Sequence, residues 1–523
     1  MPTRKLFKIV GYVGITILFS KLFGLARDLV IAQFYGTSIT ADAYNYAYLL
    51  TGNILILIGG LGGPFHSATI AILTRIKDNA KESGSFLIKI FLSAFLALSL
   101  IAIGVIYFRH NLVEMIIPAI GIAESYREKL WELTASYLLI MSPLIIISGL
   151  VGILCGIANV YGGFFWPSFA PAFPSLTIII FVILSANRGS GMALAIGTLI
   201  GAILELIVQL PYLIKACFYE NIKLTIIKKQ KAFKDYLDFL GPALLSTTIG
   251  QITVYIDGFF CSGLAEGSWT ATIFANRLIQ LPLGILVTSF LVPFFPRFSE
   301  LAHNKNLDSL KQTSIIVIKS LWFLTLPIAA FLLLFAKPIV EIIFQRGAFD
   351  ERSTTLVSGI LIALLLSMVA YVARDTLTRV FYALGNSRIP LMVAILAIIL
   401  KVVFNNVLVE KYGVYGIAFS TSLVTLLNFI FLNLLLKKEI GNLGWISHSK
   451  SLLKMAVSTF VMFIIGFLIL NSFSAILLSS GFIFKLFFLI GSFIVLFLIY
   501  FGLALSLKIK EAEIVLKEIK KRL

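Results

Sequence analysis

Ser20-Lys21-Leu22-Phe23-Gly24-Leu25-Ala26-Arg27-Asp28 lies inside an otherwise apolar run that extends from about residue 9 to residue 34. A run of that length can cross a bilayer as one helix, which takes about 20 residues. A charge at the centre of such a helix costs roughly 3 kcal/mol on insertion scales, and nothing local offsets it. At about 100° per residue, Lys21, Gly24, Arg27 and Asp28 fall within an arc of about 120°, so one side is polar and the rest apolar. Charges placed this way face a wet cavity inside a bundle. The stretch therefore reads as the pathway-lining helix of an integral membrane protein.

The whole chain agrees. Of its 523 residues, 59% are hydrophobic and 13% charged, and the mean hydropathy of +1.00 lies far outside the range of soluble domains. The apolar run after Arg4, Lys5 and Lys8 is longer than the hydrophobic core of a signal peptide, so the first helix is expected to stay. Cys155, Cys217 and Cys261 have no paired spacing, which argues against a disulfide framework or a structural zinc site. A net charge of +18 does not point to nucleic acid, because the basic residues cluster at the ends of apolar segments. About fourteen such segments can be read, from 9–34 and 41–74 to 452–472 and 482–507. The predicted fold is an all-α integral membrane protein of about 14 transmembrane helices. With connections assigned alternately to two sides, one side collects about 25 Lys and Arg and the other about 8. The positive-inside rule then puts both termini in the cytoplasm.

Residues 218–234, with Lys223, Lys228, Lys229, Lys231 and Lys234, form the longest clearly polar cytoplasmic connection and follow the sixth span. They divide the chain into 1–222, an N-terminal lobe of spans one to six, and 223–440, a C-terminal lobe of spans seven to twelve. Residues 441–523 hold two extra spans and an amphipathic tail. A weak internal repeat supports the division, since 8–74 and 234–299 share an order of features with little identity. Both copies begin on the cytoplasmic side, so the lobes are expected to be related by a pseudo-two-fold along the membrane normal. The extra spans read as lipid-facing additions, and the tail 508–523 suits an anionic membrane surface.

In the second span Asp42, Asn45, Tyr46 and Asn53 share a helical face, and Gly59-Gly60-Leu61-Gly62-Gly63-Pro64 should break or kink the helix. Asp42 either lines the pathway or caps the start of its helix. In the eighth span Arg277, Gln280 and Gly284 line one stripe, and a deep arginine wants a carboxylate, a phosphate or water. An ion pair of Arg277 with Asp28 or Asp42 is the simpler alternative. Span seven adds Gln251 and Asp257, and span eleven Lys401, Asn405 and Asn406. Asp257 can pair with Lys401, or join Asn405 as oxygen ligands for a hard cation such as sodium; spacing leaves both open. Asp375 and Arg379 stand at i and i+4 and read as a salt bridge, and His66 as a hydrogen-bonded packing residue. No Gly-rich phosphate loop, HExxH or CxxC is present. An enzyme is therefore not expected, although an intramembrane transferase or polymerase acting on a lipid remains the rival of another class.

The first-span stretch, together with Ala41-Asp42-Ala43-Tyr44, Trp269 with Ala275-Asn276-Arg277-Leu278-Ile279-Gln280-Leu281-Pro282-Leu283-Gly284, and Gln345-Arg346-Gly347-Ala348-Phe349, resembles the MurJ (MviN) lipid II flippases. These belong to the multidrug/oligosaccharidyl-lipid/polysaccharide exporter superfamily. The resemblance covers essentially the whole chain. It implies two six-helix lobes around a central cavity, a groove on the last two spans for a polyprenyl tail, and a substrate of undecaprenyl-pyrophosphate carrying the peptidoglycan disaccharide-pentapeptide. It also implies a bacterial plasma (inner) membrane location and a role in cell-wall synthesis.

By position, Lys21 stands where the family has a cavity arginine, while Arg27, Asp28 and Arg277 match. The family's second-span arginine has no counterpart in Ile54-Leu55-Ile56-Leu57-Ile58. Lys21, Arg27 and Arg277 are thereby expected to bind the pyrophosphate, with Asp28 holding the basic side chains and Asp42, Asn45 and Gln280 lining the cavity. Some members carry a sodium site to which Asp257, Asn405 and Thr425 are similar, though the acidic ligand expected one turn after Asn405 is Val409. No organic cofactor is expected; sodium or the membrane potential would drive transport. Partners are the lipid-linked substrate, the bilayer and, as a candidate neighbour, the cell-wall synthesis machinery, with the chain itself a monomer. An exporter of another polyprenyl-pyrophosphate-linked glycan, or a cation-coupled drug exporter, is the sibling alternative.

Overall fold

The computed structural model describes residues 3–54, 63–118, 124–185, 190–219, 230–479, 481–513 and 516. Among them the chain is helical, without strands. In a bilayer every backbone N–H and C=O has to be satisfied within the segment, and the helix does this without a partner strand.

Seventeen of the helices among the described residues position the features below. They are α1 Thr3–Tyr35, α2 Ile39–Leu50, α3 Pro64–Ile76, α4 Ala80–Tyr107, α5 Glu124–Met141, α6 Leu144–Val160, α7 Ala172–Leu184, α8 Met192–Ile207, α9 Lys231–Ser262 and α10 Ser268–Leu286. The remainder are α11 Leu307–Leu334, α12 Ala336–Phe344, α13 Glu351–Ala383, α14 Arg388–Tyr412, α15 Val414–Ile440, α16 Trp445–Ser479 and α17 Phe482–Ser506. Ten helical stretches among the described residues are long and apolar enough to cross a membrane. Four of the segments read from the sequence are not among the ten. The first is α1, which carries the charged cluster; the second divides into α2, a short turn and α3, with 55–62 outside the described residues. The fifth is represented by the 13-residue α7. The eighth runs from α10 through a π stretch, Val287–Leu291, into Val292–His303. Pro282 and Pro296 remove two ladder donors in this segment.

Packing divides the chain into Met1–Thr270 with Arg346–Phe349, and Ala271–Gln345 with Asp350–Leu523. The boundary read at 222/223 lies in 220–229, outside the described residues together with Lys223, Lys228 and Lys229; in contacts, α9 goes with the first unit. The glycine run at 59–62, the leucine and isoleucine stretch at 55–58 and the tail lysines beyond 516 also lie outside them.

In the first unit, α4 shows what lipid does to a helix. Leu87, Ile90, Ala94, Leu98 and Ala102 recur at spacings of three and four and are buried, packing with α3 and α6. The opposite face, Leu92, Leu96, Leu100 and Ile103, is equally apolar yet exposed. A helix apolar all round with one bare face fits hydrocarbon. Small residues allow close approach: a Cβ on Gly156 would lie 2.7 Å from Thr69 Cβ. His66 and Asn159 join α3 to α6 through a 2.8 Å hydrogen bond, the packing role read for His66.

In the second unit, α13 packs on α15, where Ser422 Oγ donates to Ala363 O at 2.7 Å. Asp375 accepts from Arg379 at 3.2 Å, as the i, i+4 spacing predicted. The last two helices leave Phe460, Phe487 and Leu498 exposed. Tyr500 OH donates to Phe323 O at 2.9 Å and Lys485 Nζ to Glu341 Oε1 at 2.5 Å, which tie α17 to α11 and α12.

The described start of the tail does not lie free for a membrane surface, as the sequence suggested. After α17, Lys508 takes a left-handed φ of 55° and Ile509 N closes back on Ala504 O at 2.9 Å. The reversal buries Ile509, Glu511 and Ala512, and Glu511 Oε1 meets Lys319 Nζ of α11 at 2.8 Å. The alternation of apolar and charged residues suited either surface, and a buried carboxylate partner for Lys319 decided it.

Candidate functional site

The charged cluster on α1 is arranged around one carboxylate. Asp28 Oδ1 accepts from Arg27 Nε at 3.0 Å and from Nη2 at 2.7 Å, and both side chains are largely buried, at 12% and 7% exposed. Asp28 takes the Nε edge of the guanidinium, so the Nη1 edge turns away from it. Lys21 is exposed, two turns earlier on the same helix.

Asp42 does not cap its own helix, whose N-cap is Ser38. It is 4% exposed, and its carboxylate accepts from Gly267 N at 2.8 Å, Thr270 N at 2.8 Å and Thr270 Oγ1 at 2.6 Å. These are donors at the N-terminus of α10, where amides lack helical acceptors and the dipole favours an anion. The arrangement is reciprocal, because Glu266 Oε1 accepts from Ile39 N, the first residue of α2, at 2.7 Å. Asn45 Nδ2 donates to Thr270 Oγ1 at 3.0 Å, one turn after Asp42. Tyr46 lies against Trp269, ring centroids 5.7 Å apart, and donates to Gly258 O at 3.0 Å.

Three glycines let backbones touch at this place. Gly36, Gly267 and Gly347 have φ of 56°, 86° and 60°. A Cβ on Gly36 would stand 2.3 Å from Ala348 O, one on Gly347 2.2 Å from Gln33 O, and one on Gly267 2.2 Å from Thr37 O. Ala348 N donates to Gln33 O at 2.8 Å. Thus the α1–α2 turn holds both the turn before α10 and the segment Arg346–Phe349. Glu266, Thr270 and this glycine junction were missed by spacing arguments. Their one sequence signal was an acidic residue and a glycine directly before a helix start.

In the second unit Arg277 is half-buried and Gln280 exposed, on the same face of α10. Asn405 and Thr425 are buried on α14 and α15, and Asp257 belongs to the first unit. Lys401, one turn before Asn405, is 2% exposed; its Nζ donates to Ile417 O at 3.1 Å and to Thr421 Oγ1. Cys155 and Cys261 are buried and form no disulfide, and no cluster of His, Cys, Asp and Glu with metal-ligand geometry exists among the described residues.

The family model for the lipid II flippase MurJ matches residues 31–489. The chain belongs to that family. A probable lipid II flippase MurJ of Synechocystis is 31% identical over 461 residues, covering 85% of this chain and 84% of the relative. The lipid II flippase MurJ of Thermosipho africanus is 27% identical, covering 80% of this chain and 83% of its own. Among solved structures, a lipid II flippase MurJ in an inward closed conformation aligns with a TM-score of 0.74 at 24% identity, over 94% of this chain and 98% of that one. An inward-facing multidrug resistance MATE transporter of the MOP superfamily follows the same fold, with a TM-score of 0.64 at 16% identity, over 83% and 98%. The chain is therefore a multi-pass membrane protein of a flippase family, with the cell-wall role that the family name carries.

Proposed function

We propose that this chain carries lipid II from the cytoplasmic to the outer leaflet of the bacterial plasma membrane by alternating access, with both termini in the cytoplasm and without covalent change to the lipid. Moving a pyrophosphate through about 30 Å of hydrocarbon requires cationic groups that offset its lost hydration. The observation that carries this reading is Arg27, held on an apolar helix by one edge on Asp28, which orients the other edge for a bidentate phosphate contact. Lys21 and Arg277 add point charge and a second fork. Gln280, beside Arg277, reads as a head-group contact, whereas Asp42 and Asn45 serve the junction with Thr270.

That junction is the natural outer gate. It is built of backbone contacts and helix-end hydrogen bonds, which break and re-form as a unit. Charge on the carrier couples to the membrane potential at about 2.3 kcal/mol per charge per 100 mV, which supplies a driving force. The chain is taken to act as a monomer beside the cell-wall synthesis machinery. Replacing Arg27 or Arg277 by alanine is expected to abolish complementation of a flippase-depleted strain at unchanged protein level, and normal growth rejects the reading. In vesicles, tagged lipid II should change sides with its chemical structure intact; a new covalent product would point to an enzyme instead.

A further inference from the structure

Independently of what the carrier moves, we infer that Glu205 is a proton-binding site of the first unit. Its carboxyl takes a proton from water, is enclosed in the neutral form, and returns the proton to water when the helices around it part. Glu205 stands on α8, near the middle of the 24-residue apolar stretch Met192–Lys215, and so at bilayer depth. It is 4% exposed, and α8 carries no other ionisable residue. Among the described residues no cation and no hydrogen-bond donor reaches its carboxyl. Asp28 and Asp42 differ in this respect: an arginine meets the first, and the amides of a helix start meet the second. Gly201, one turn before Glu205, closes α8 on α7, since a Cβ there would stand 2.3 Å from Pro174 Cα.

The helices packed against α8 supply no counter-charge at this depth. α7 has no ionisable side chain. On α6 the facing titratable group is the Cys155 thiol, whose Sγ donates to Gln209 Oε1 at 2.9 Å. Gln209, fully buried, donates from Nε2 to the backbone oxygen of Glu205 at 3.1 Å and leaves the carboxyl alone. The charged residues of α5 end at Glu132, within its first nine positions, where Arg127 meets Glu124 at 3.6 Å and the Trp131 ring. Tyr137 of α5 donates to Ser190 O, ahead of α8. Lys215, ten residues further along the chain, is exposed. A carboxylate enclosed without a partner is penalised far more heavily than the neutral acid, and binding one proton removes that penalty. The ionised group must therefore be protonated again before these helices can close over it.

The test uses the purified full chain in lipid vesicles. At neutral pH the infrared spectrum of the parent minus that of Glu205→Gln should show one carbonyl band of a protonated carboxyl; its absence overturns the inference. The rate at which the parent moves lipid II, with the same pH on both sides, should fall by about tenfold or more from pH 6 to pH 8, over which protons become about a hundredfold scarcer. Glu205→Gln keeps the shape of the neutral acid and should hold one rate across that range. A flat parent profile overturns the inference, as does a Glu205→Gln chain that keeps the parent's pH dependence. Labelling of the parent at Glu205 by a hydrophobic carbodiimide, which reacts with the acid rather than the carboxylate, should decline as pH rises, and labelling that ignores pH overturns the inference as well. The infrared and labelling measurements involve no transport, so they read the proton even if the flippase reading fails, and the labelling needs no variant.

Discussion

The carboxylate of Asp42 accepts both the amide and the hydroxyl of Thr270, at 2.8 and 2.6 Å, and so fixes the start of α10 from a different helix. Replacing Asp42 by alanine leaves Gly267 N and Thr270 N as buried donors without that acceptor. Each such orphan costs about 1–3 kcal/mol. Asp42→Ala is expected to lower the melting temperature and to raise labelling of a cysteine placed at Gln33 by an impermeant thiol reagent from outside. Unchanged labelling would separate the Asp42 cap from gating.

Gly36 and Gly347 meet the opposite backbone with no room for a methyl group. Gly347→Ala would force its Cβ against Gln33 O at 2.2 Å in a left-handed backbone, with strain of about 1–3 kcal/mol. Transport should fall while overall folding, read by helical circular dichroism, persists. Gly162 has the same backbone hand but open space around it, so Gly162→Ala is the control for backbone strain alone.

Arg27 and Asp28 form one largely buried pair, which makes the single and double substitutions differ. Removing one partner strands the other charge at a cost of about 3–5 kcal/mol. Arg27→Ala should therefore melt earlier than Arg27→Ala with Asp28→Asn, although neither restores growth. Equal melting of the two would mean that the pair carries no coupling.

Asp350 precedes α13 and accepts from Ser353 N at 2.8 Å and Ser353 Oγ at 2.7 Å. The Ser353 amide and then its hydroxyl hold the carboxyl below its ordinary range. A depressed carboxyl pKa stabilises the fold above the unfolded pKa, and that contribution is lost as pH falls through the folded value. Asp350→Ala should cost about 1 kcal/mol at neutral pH, with the difference from the parent fading in acid below about pH 4. A difference independent of pH would assign the effect to packing.

The sequence carried the fold class and the charged first span because both are written in local composition: a bilayer imposes an apolar run, and Arg27 and Asp28 stand out against it. It also carried the Asp375 and Arg379 pair, whose partners are one helical turn apart. What it did not carry is long in sequence and short in space. Asp42 presented two local options, its own helix or a cavity, and Thr270 is remote in the chain. The glycine run read as a break of the second span lies, but for Gly63, outside the described residues, and Gly36, Gly267 and Gly347 meet only once the chain has folded. The bonds of the Lys401 ammonium to Ile417 O and Thr421 Oγ1 on the neighbouring helix were likewise beyond the reach of spacing.

Lys319 of α11 has its carboxylate in Glu511, so its partner is translated only after the whole of α17. Until then this ammonium waits without that carboxylate while five further long helices are made. The order of synthesis thus makes the turn at Lys508 the closing act of assembly: a ribosome that stops at Leu507 releases every span of the second unit, yet leaves the molecule unfinished.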